Sequence, residues 1–372
     1  MPKTTPALRS EWSLPVIAVT TALFLAFGKG WLADLSSNTL RFVLLSAWLF
    51  GAMMMSAFGV VRHAETLAEK LGEPFGTLIL TLAVTGMEVM MIAALMYAGG
   101  DSASMLARDA MFAVVMIVLN GMVGLSLIVG GLRYHEQAYN LQGASAFLAV
   151  IMPLAALGLV LPNLTVTSPG PTLSGRQSAF LIFMSLVLYG VFLAIQTLRH
   201  RDYFIGPGDK TAHSLARGRK DRGSVLYHTV LVLLYAAPVV ILSKQMAAPI
   251  NYVINALGAP PALAGFIISV LILSPESLGA TRAALANELQ RSVNILLGSV
   301  LASISLTIPS VLLLAFFTGR TVVLGLDAVD TMQLILALGL SMITFASERT
   351  NVLLGAVHLL LFLTYLMLLF ER

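Results

Sequence analysis

Residues 80–95 read Leu-Thr-Leu-Ala-Val-Thr-Gly-Met-Glu-Val-Met-Met-Ile-Ala-Ala-Leu, an apolar run with a single acidic residue, Glu88. Residues 269–280 read Ser-Val-Leu-Ile-Leu-Ser-Pro-Glu-Ser-Leu-Gly-Ala and carry Glu276. A carboxylate at the centre of a bilayer costs roughly 2.5 kcal/mol or more, so such residues face a partner, a cavity or an ion path. Two such runs, one in each half of the chain, indicate a duplicated ion-binding element.

The composition of the whole chain indicates a membrane protein. Of its 372 residues 58% are hydrophobic and only 11% are charged, with a mean hydropathy of +0.89, whereas a soluble domain carries roughly 25% charged residues. Apolar runs of about 20 residues are typical of membrane-spanning helices, and a barrel would show short alternating strands instead. The chain is therefore predicted to be an all-α integral membrane protein. Its basic residues lie mainly in loops, so the net charge of +4 indicates topology and not a nucleic-acid partner.

The apolar runs predict about eleven transmembrane helices, at roughly 14–34, 40–61, 74–98, 109–131, 146–162, 178–198, 226–243, 262–281, 292–317, 329–347 and 352–370. The first is expected to be a retained helix, because no small-x-small cleavage site follows it. The longest polar interruption, 199–224, has five runs on each side once the first is set aside. A five-helix unit crosses an odd number of times, so two copies insert with opposite orientation.

These runs predict four parts: a first transmembrane helix within 1–36, a five-helix repeat over 37–198, a basic cytoplasmic linker over 199–224, and an inverted second repeat over 225–372. With the N-terminus inside, fifteen of the 22 lysines and arginines fall on the inner side and seven on the outer side, as expected for a cytoplasmic N-terminus. The basic linker is expected to contact anionic membrane lipids.

The glutamates are accompanied by residues that could complete an ion site. Carboxylate and carbonyl oxygens are the ligands that Ca²⁺ prefers, so Glu88 and Glu276 are predicted to bind a transported cation or protons, with no resident cofactor. The supporting oxygen shell or helix break is predicted at Thr85, Gly86, Asn120, Ser274, Pro275, Asn294, Ser299 and Ser303. The alternative is structural: a glutamate can bond a neighbouring helix, and small or hydroxyl residues let helices pack closely.

Several stretches carry a family resemblance. Residues 62–76 read Arg-His-Ala-Glu-Thr-Leu-Ala-Glu-Lys-Leu-Gly-Glu-Pro-Phe-Gly and lead on to Glu88. The second half repeats the pattern from Gly265 through 274–280 to Asn294, and the tail 349–358 fits as well. This arrangement resembles the cation/proton exchangers of the calcium/cation antiporter superfamily. The chain departs from that family beside each glutamate, where Val84-Thr85 and Ile272-Leu273 replace Gly-Asn and leave fewer side-chain oxygens.

The resemblance implies a function. It implies a non-enzymatic antiporter that exchanges Ca²⁺, or Na⁺ or K⁺, for H⁺ across the bacterial inner membrane, with Glu88 and Glu276 as the shared site. Two other functions are compatible with the residues alone. A cation channel would have a continuous pore, and a membrane metalloenzyme would use the two glutamates with His358. The polar segment 62–73 by itself predicts a short, solvated helix at the inner face.

The inverted arrangement makes a prediction about topology. A reporter inserted at Lys210 is expected on the cytoplasmic side and one fused after Arg372 on the opposite side, because five crossings separate them. Paired fusions to alkaline phosphatase and to a fluorescent protein measure this directly. Finding both positions on the same side would contradict the two inverted five-helix units.

Overall fold

The computed structural model describes residues 11–33, 35, 38–72, 75–98, 101–206 and 223–371. These ranges contain eleven long helices: α1 Ser13–Leu32, α2 Thr39–Leu71, α3 Phe75–Ala98, α4 Leu106–Tyr134, α5 Leu141–Leu164, α6 Gly175–Arg199, α7 Val225–Leu257, α8 Leu263–Leu285, α9 Leu289–Thr318, α10 Ala328–Thr344 and α11 Val352–Phe370. Ten of them are long and apolar enough to cross a membrane, and α10 is a shorter apolar helix. The predicted all-α membrane fold with about eleven helices is confirmed. Residues 207–222, most of the predicted linker, lie outside the described ranges.

Two helices are much longer than their apolar runs. Helices α2 and α7 each contain 33 residues, whereas the sequence predicted spans at 40–61 and 226–243. The separate polar helix predicted at 62–73 is wrong, because residues 62–71 continue α2 without a break. Gly72 ends it with φ 65°, and its N–H donates to the carbonyl of Ala68 at 3.0 Å, a common way for a helix to stop.

The polar end of α2 continues as a helix because its side chains have partners inside the protein. We call Glu11, Ser13, Arg62, His63, His228 and Tyr235 the N-terminal polar cluster. The Glu11 carboxylate, just before α1, accepts hydrogen bonds from Arg62, from His63 Nε2 at 3.2 Å and from Tyr235 Oη at 2.9 Å. His63 Nδ1 lies 3.0 Å from His228 Nδ1 on α7. The cluster therefore fastens the start of α1 to both long helices.

The same contacts set the acidity of Glu11. Burial by itself raises the pKa of the Glu11 carboxyl, but hydrogen bonds from Tyr235 and His63 and the positive charge of Arg62 outweigh burial, so the pKa lies below its ordinary value of 4.5. The carboxylate is thus held in its charged form at neutral pH.

Close backbone approach joins the two halves at the end opposite to residues 200–224. Gly265, in the first turn of α8, packs against α4. A Cβ added to Gly265 would lie 2.6 Å from the backbone nitrogen of Ala110. Ser269, one turn further along, donates to the carbonyl of Ala110 at 3.0 Å. A second close approach lies nearer to residues 200–206: helices α4 and α11 cross at Gly124 and Gly355, and a Cβ added to either glycine would lie within 2.9 Å of the other's carbonyl oxygen. Small residues at such crossings let membrane helices pack tightly.

Four helices contain a π-helical segment. In α4 it is Met116–Met122 and in α9 it is Ser303–Thr307, each near the middle of the helix. Shorter segments lie at Ala156–Val160 in α5 and at Ile195–Arg199, the last residues of α6. π-Helical turns occur frequently at functional sites, and the segment in α9 begins at a predicted site residue, Ser303.

The N-terminal polar cluster yields a stability prediction. Replacing Glu11 by Gln removes the charge that Arg62 and His63 face, and we expect a loss of about 1–3 kcal/mol in stability at neutral pH. The lowered pKa means that the stabilisation is present above pH 4.5 and is lost as the pH falls through the folded-state pKa. The thermal midpoints in detergent of the native protein and Glu11→Gln should therefore differ at pH 7 and converge only at a pH below the lowered folded-state pKa of Glu11. Glu69→Gln, an exposed position on α2, is the control, and equal midpoints for Glu11→Gln and Glu69→Gln at pH 7 would contradict the assignment.

Candidate cation site

Glu88 lies in the middle of α3 and is almost completely buried, with 2% of its surface exposed. The hydroxyl of Ser303 on α9 donates to its Oε2 at 2.8 Å. Its second oxygen, Oε1, has no hydrogen-bond partner among the described residues. A buried carboxylate oxygen without a partner costs stability, so Glu88 is left with an oxygen free to bind a proton or a cation.

Glu276 lies on α8 and accepts a hydrogen bond from the hydroxyl of Ser299. Ser299 and Ser303 are four residues apart, so they lie on one face of α9. A single helix therefore supplies a hydroxyl donor to each glutamate. The charges of Glu88 and Glu276 are close enough to act on each other, so the fold brings together two residues that are far apart in the sequence.

Both glutamates line one cavity of about 260 Å³. Beside Thr85, Ser299 and Ser303, its wall includes residues from the ends of three helices: Glu65 near the end of α2, Gln196 near the end of α6, and Arg291 near the start of α9. We call this the linker end of the cavity, because its helix ends adjoin the residues that flank 207–222. Lys70 Nζ donates to the carbonyl of Gly223 at 2.8 Å, and Asn294 Nδ2 donates to the carbonyl of Phe204 at 2.7 Å.

The opposite side of Glu88 is densely packed. Met87, Met91 and Ile92 on α3 are completely buried, and the Gly265–Ala110 contact closes α8 against α4. The described residues thus form a site that is accessible from the linker end and covered by packed side chains and backbone at the other.

The structure places the predicted site residues in two groups. Thr85, Pro275, Asn294, Ser299 and Ser303 line the cavity with the two glutamates. Three do not line it: Gly86, Ser274 and Asn120.

The expected helix break at Gly86 and Pro275 is wrong, because α3 and α8 are continuous through these positions. Proline lacks the N–H that would bond the carbonyl four residues earlier, but the neighbouring turns remain helical. The hydroxyl of Ser274 donates back to the carbonyl of Val270 at 2.5 Å, inside its own helix. The irregular backbone beside the site lies instead in the π-helical segment of α9.

Asn120 belongs to a different buried contact. Its Oδ1 lies 3.3 Å from His358 Nδ1 on α11, and His358 Nε2 lies 2.9 Å from the hydroxyl of Thr344 on α10. All three side chains are buried. The arrangement ties the π-helical segment of α4 to α10 and α11, and His358 is not among the residues that line the cavity.

Sequence reasoning missed Glu65 and Arg291 as cavity residues. Glu65 lies in the polar segment 62–73, which by itself predicts a solvated helix, and Arg291 is one of the fifteen basic residues predicted on the inner side. Val61 and Glu65, four residues apart, both line the cavity, and this spacing on one helix face was a signal that the sequence contained.

Similar proteins identify the family of this chain. The profile of the sodium/calcium exchanger protein family matches residues 41–198 and 227–371. The chain belongs to this family. The exchanger is 41% identical to the sodium-potassium/proton antiporter ChaA of Escherichia coli (strain K12), over 90% of this chain and 91% of the relative. It is also 41% identical to the putative ionic transporter y4hA of Sinorhizobium fredii (strain NBRC 101917 / NGR234), over 96% and 95% of the two chains.

Solved structures share its fold. Native YfkE superimposes with a TM-score of 0.72 at 16% identity, covering 97% of the exchanger and 100% of that chain. The H⁺/Ca²⁺ exchanger CAX gives a TM-score of 0.63 at 16% identity, over 95% and 89% of the two chains. The exchanger is thus a multi-pass membrane transporter of the antiporter class and not an enzyme, as the sequence predicted.

The serine contacts generate a prediction for the exchanger. Replacing Ser303 by Ala removes the hydrogen bond that its hydroxyl donates to the Glu88 carboxylate, and it removes a hydroxyl oxygen from the cavity wall. A candidate oxygen ligand and the contact that orients Glu88 are lost together, so we expect the apparent cation affinity in vesicles to fall about tenfold, a change of about 1.4 kcal/mol.

Ser305→Ala is the matched control for this experiment. Ser305 is completely buried in the same π-helical segment, and its hydroxyl has no hydrogen-bond partner among the described residues. Its replacement should leave the cation affinity unchanged. Equal effects of the two substitutions would show that the Ser303–Glu88 contact has no part in transport.

Proposed function

We propose that this protein exchanges Ca²⁺, with Na⁺ or K⁺ as alternative cargo, for protons across the bacterial inner membrane, and that Glu88 and Glu276 are the shared site. The observation that carries the proposal is their convergence on one cavity in the middle of the membrane helices, each with one serine donor. Family membership supports cation exchange, and the geometry supports these two residues as its site.

The proposed chemistry follows from burying two acidic groups in one cavity. Two adjacent carboxylates in a poorly solvated site are costly while both are charged and unpaired. A bound cation neutralises them, and protons neutralise them equally well. The two ligands therefore compete for the same oxygens, and the arrival of one on either face of the membrane releases the other. This competition alone couples the cation flux to the proton flux.

The choice of cation is proposed from the oxygens available. The cavity offers two carboxylates and the hydroxyls of Thr85, Ser299 and Ser303, a set of hard ligands that suits Ca²⁺. The curated relative ChaA is named a sodium-potassium/proton antiporter, and YfkE is described as a Ca²⁺/H⁺ antiporter. These names support Na⁺, K⁺ and Ca²⁺ as the cations to test.

Alternating access would come from two inverted five-helix repeats, α2–α6 and α7–α11. Three features support the repeats. Each begins with a 33-residue helix, carries its glutamate on the second helix, and has a π-helical segment within the third. The spacing agrees as well, since Glu276 follows Glu88 by 188 residues and Ser303 follows Met116 by 187. The family profile also matches one segment on each side of the linker.

The two repeats would not be chemically equivalent. The 187-residue offset pairs Ser299 with Phe112 and Ser303 with Met116, so both serine donors belong to the second repeat. The first repeat contributes apolar side chains at the matching positions.

The geometry favours this proposal over the alternatives. A channel needs a continuous path, whereas Met87, Met91 and Ile92 are fully buried beside Glu88. A metalloenzyme using His358 needs that residue at the cavity, whereas it contacts Asn120 and Thr344. Cytoplasmic orientation of the linker end is proposed from the excess of lysine and arginine on that side.

The decisive experiment replaces each glutamate by Gln, which keeps the shape of the side chain and removes its charge. We expect Glu88→Gln and Glu276→Gln to abolish exchange, while Glu348→Gln, an exposed position, leaves it intact. Everted vesicles holding a pH gradient are given Ca²⁺, Na⁺ and K⁺ in turn, and collapse of the gradient reports exchange. Substantial proton-coupled transport by correctly folded Glu276→Gln would rule out the shared site.

A further inference from the structure

We propose that Glu65 attracts cations to the linker end of the cavity. Cargo arriving from that face of the membrane reaches the proposed Glu88–Glu276 site through this end, so Glu65 acts only on cargo from that face. This inference rests on the proposed function and adds a residue that speeds the arrival of cargo at the site. It concerns the path to the site and not the site itself.

The position of Glu65 follows from the two faces of α2. One face carries Arg62 and His63 into the N-terminal polar cluster. Another carries Val61 and Glu65 into the cavity wall. Glu65 is exposed as a residue although it lines the cavity, so it lies where the cavity meets the solution from which a cation arrives.

The charge of Glu65 acts on Glu276, which also lines the cavity. It is close enough to Glu276 to repel that carboxylate, so the two acidic groups mark successive points on one path. Arg291, across the mouth, acts on Glu65 from a distance and forms no ion pair with it among the described residues. The Arg291 guanidinium lies 3.3 Å from Glu288 Oε2 instead. Glu65 thus presents a carboxylate that no described basic side chain pairs with directly.

A negative charge at the mouth of a poorly solvated cleft raises the local concentration of cations and their rate of arrival. The effect is electrostatic, so salt screens it over a length of about 10 Å at 0.1 M ionic strength. It acts only on ions that approach from the linker end. A cation bound between Glu88 and Glu276 would be held by those residues, so the maximal exchange rate should not require Glu65.

The test compares Glu65→Gln with Glu69→Gln. Glu69 lies one turn further along α2, is also exposed, and does not line the cavity, so it controls for a general loss of surface charge. Initial rates of proton-coupled Ca²⁺ exchange are measured in sealed vesicles of both orientations, at low and at high ionic strength. Thermal midpoints in detergent verify that both variants are folded.

We expect Glu65→Gln to raise the KM for Ca²⁺ added at the linker end about three- to tenfold at low ionic strength, with the maximal rate retained. The increase should shrink at high ionic strength and be absent for Ca²⁺ added at the other face. Arg291→Gln should lower the same KM, because it removes a positive charge from the mouth. Glu69→Gln should match the native protein.

Three outcomes would overturn the inference. If Glu65→Gln behaves like Glu69→Gln while Glu276→Gln is inactive, Glu65 has no part in transport and the shared site stands. If Glu65→Gln abolishes exchange at both faces and at every ionic strength, Glu65 belongs to the binding site and is not an approach residue. If the native protein itself shows no exchange with any cation, the proposed function fails and the inference fails with it.

Discussion

A carboxylate enclosed by apolar helices must find a hydrogen bond, a proton or a cation, and this requirement organises the centre of the molecule. Glu88 and Glu276 each receive one hydroxyl, and both hydroxyls come from the same face of α9. The second carboxylate oxygen of Glu88, Oε1, has no hydrogen-bond partner among the described residues. A site that is satisfied only in part by its own chain is suited to a ligand that must leave again.

The second organising element is α2, which serves two polar environments at once. Its cluster-facing residues hold Glu11 and contact α7, whereas its cavity-facing residues form one wall of the path to the glutamates. Because one rigid helix carries both faces, a displacement of α2 relative to α7 would alter the cavity wall and the His63–His228 contact together. The Lys70–Gly223 hydrogen bond joins the ends of the same two helices.

Much of this could be predicted from the sequence, for identifiable reasons. Apolar runs of membrane length predicted the helices, and the cost of burying charge singled out Glu88 and Glu276. The partners were harder to predict, because helical periodicity does not say which neighbour a face meets. The sequence predicts both Ser303 and Asn120 as members of the oxygen shell. In the structure Ser303 bonds Glu88, whereas Asn120 lies against His358. The polar residues 62–71 predicted a separate surface helix because their partner, Glu11, lies 51 residues away from Arg62.

The placement of both serine donors on α9 has a thermodynamic consequence. Two identical inverted repeats that exchange conformations would give inward-open and outward-open states of equal free energy. Here the exchange would not regenerate the same hydrogen bonds, because Phe112 and Met116 stand where Ser299 and Ser303 stand in the other half. Under the proposed inverted repeats, the two states would then differ in free energy, and the empty carrier would rest predominantly on one side of the membrane. Such a resting bias makes an exchanger unequally sensitive to its cargo on the two faces, even though a complete cycle runs in either direction.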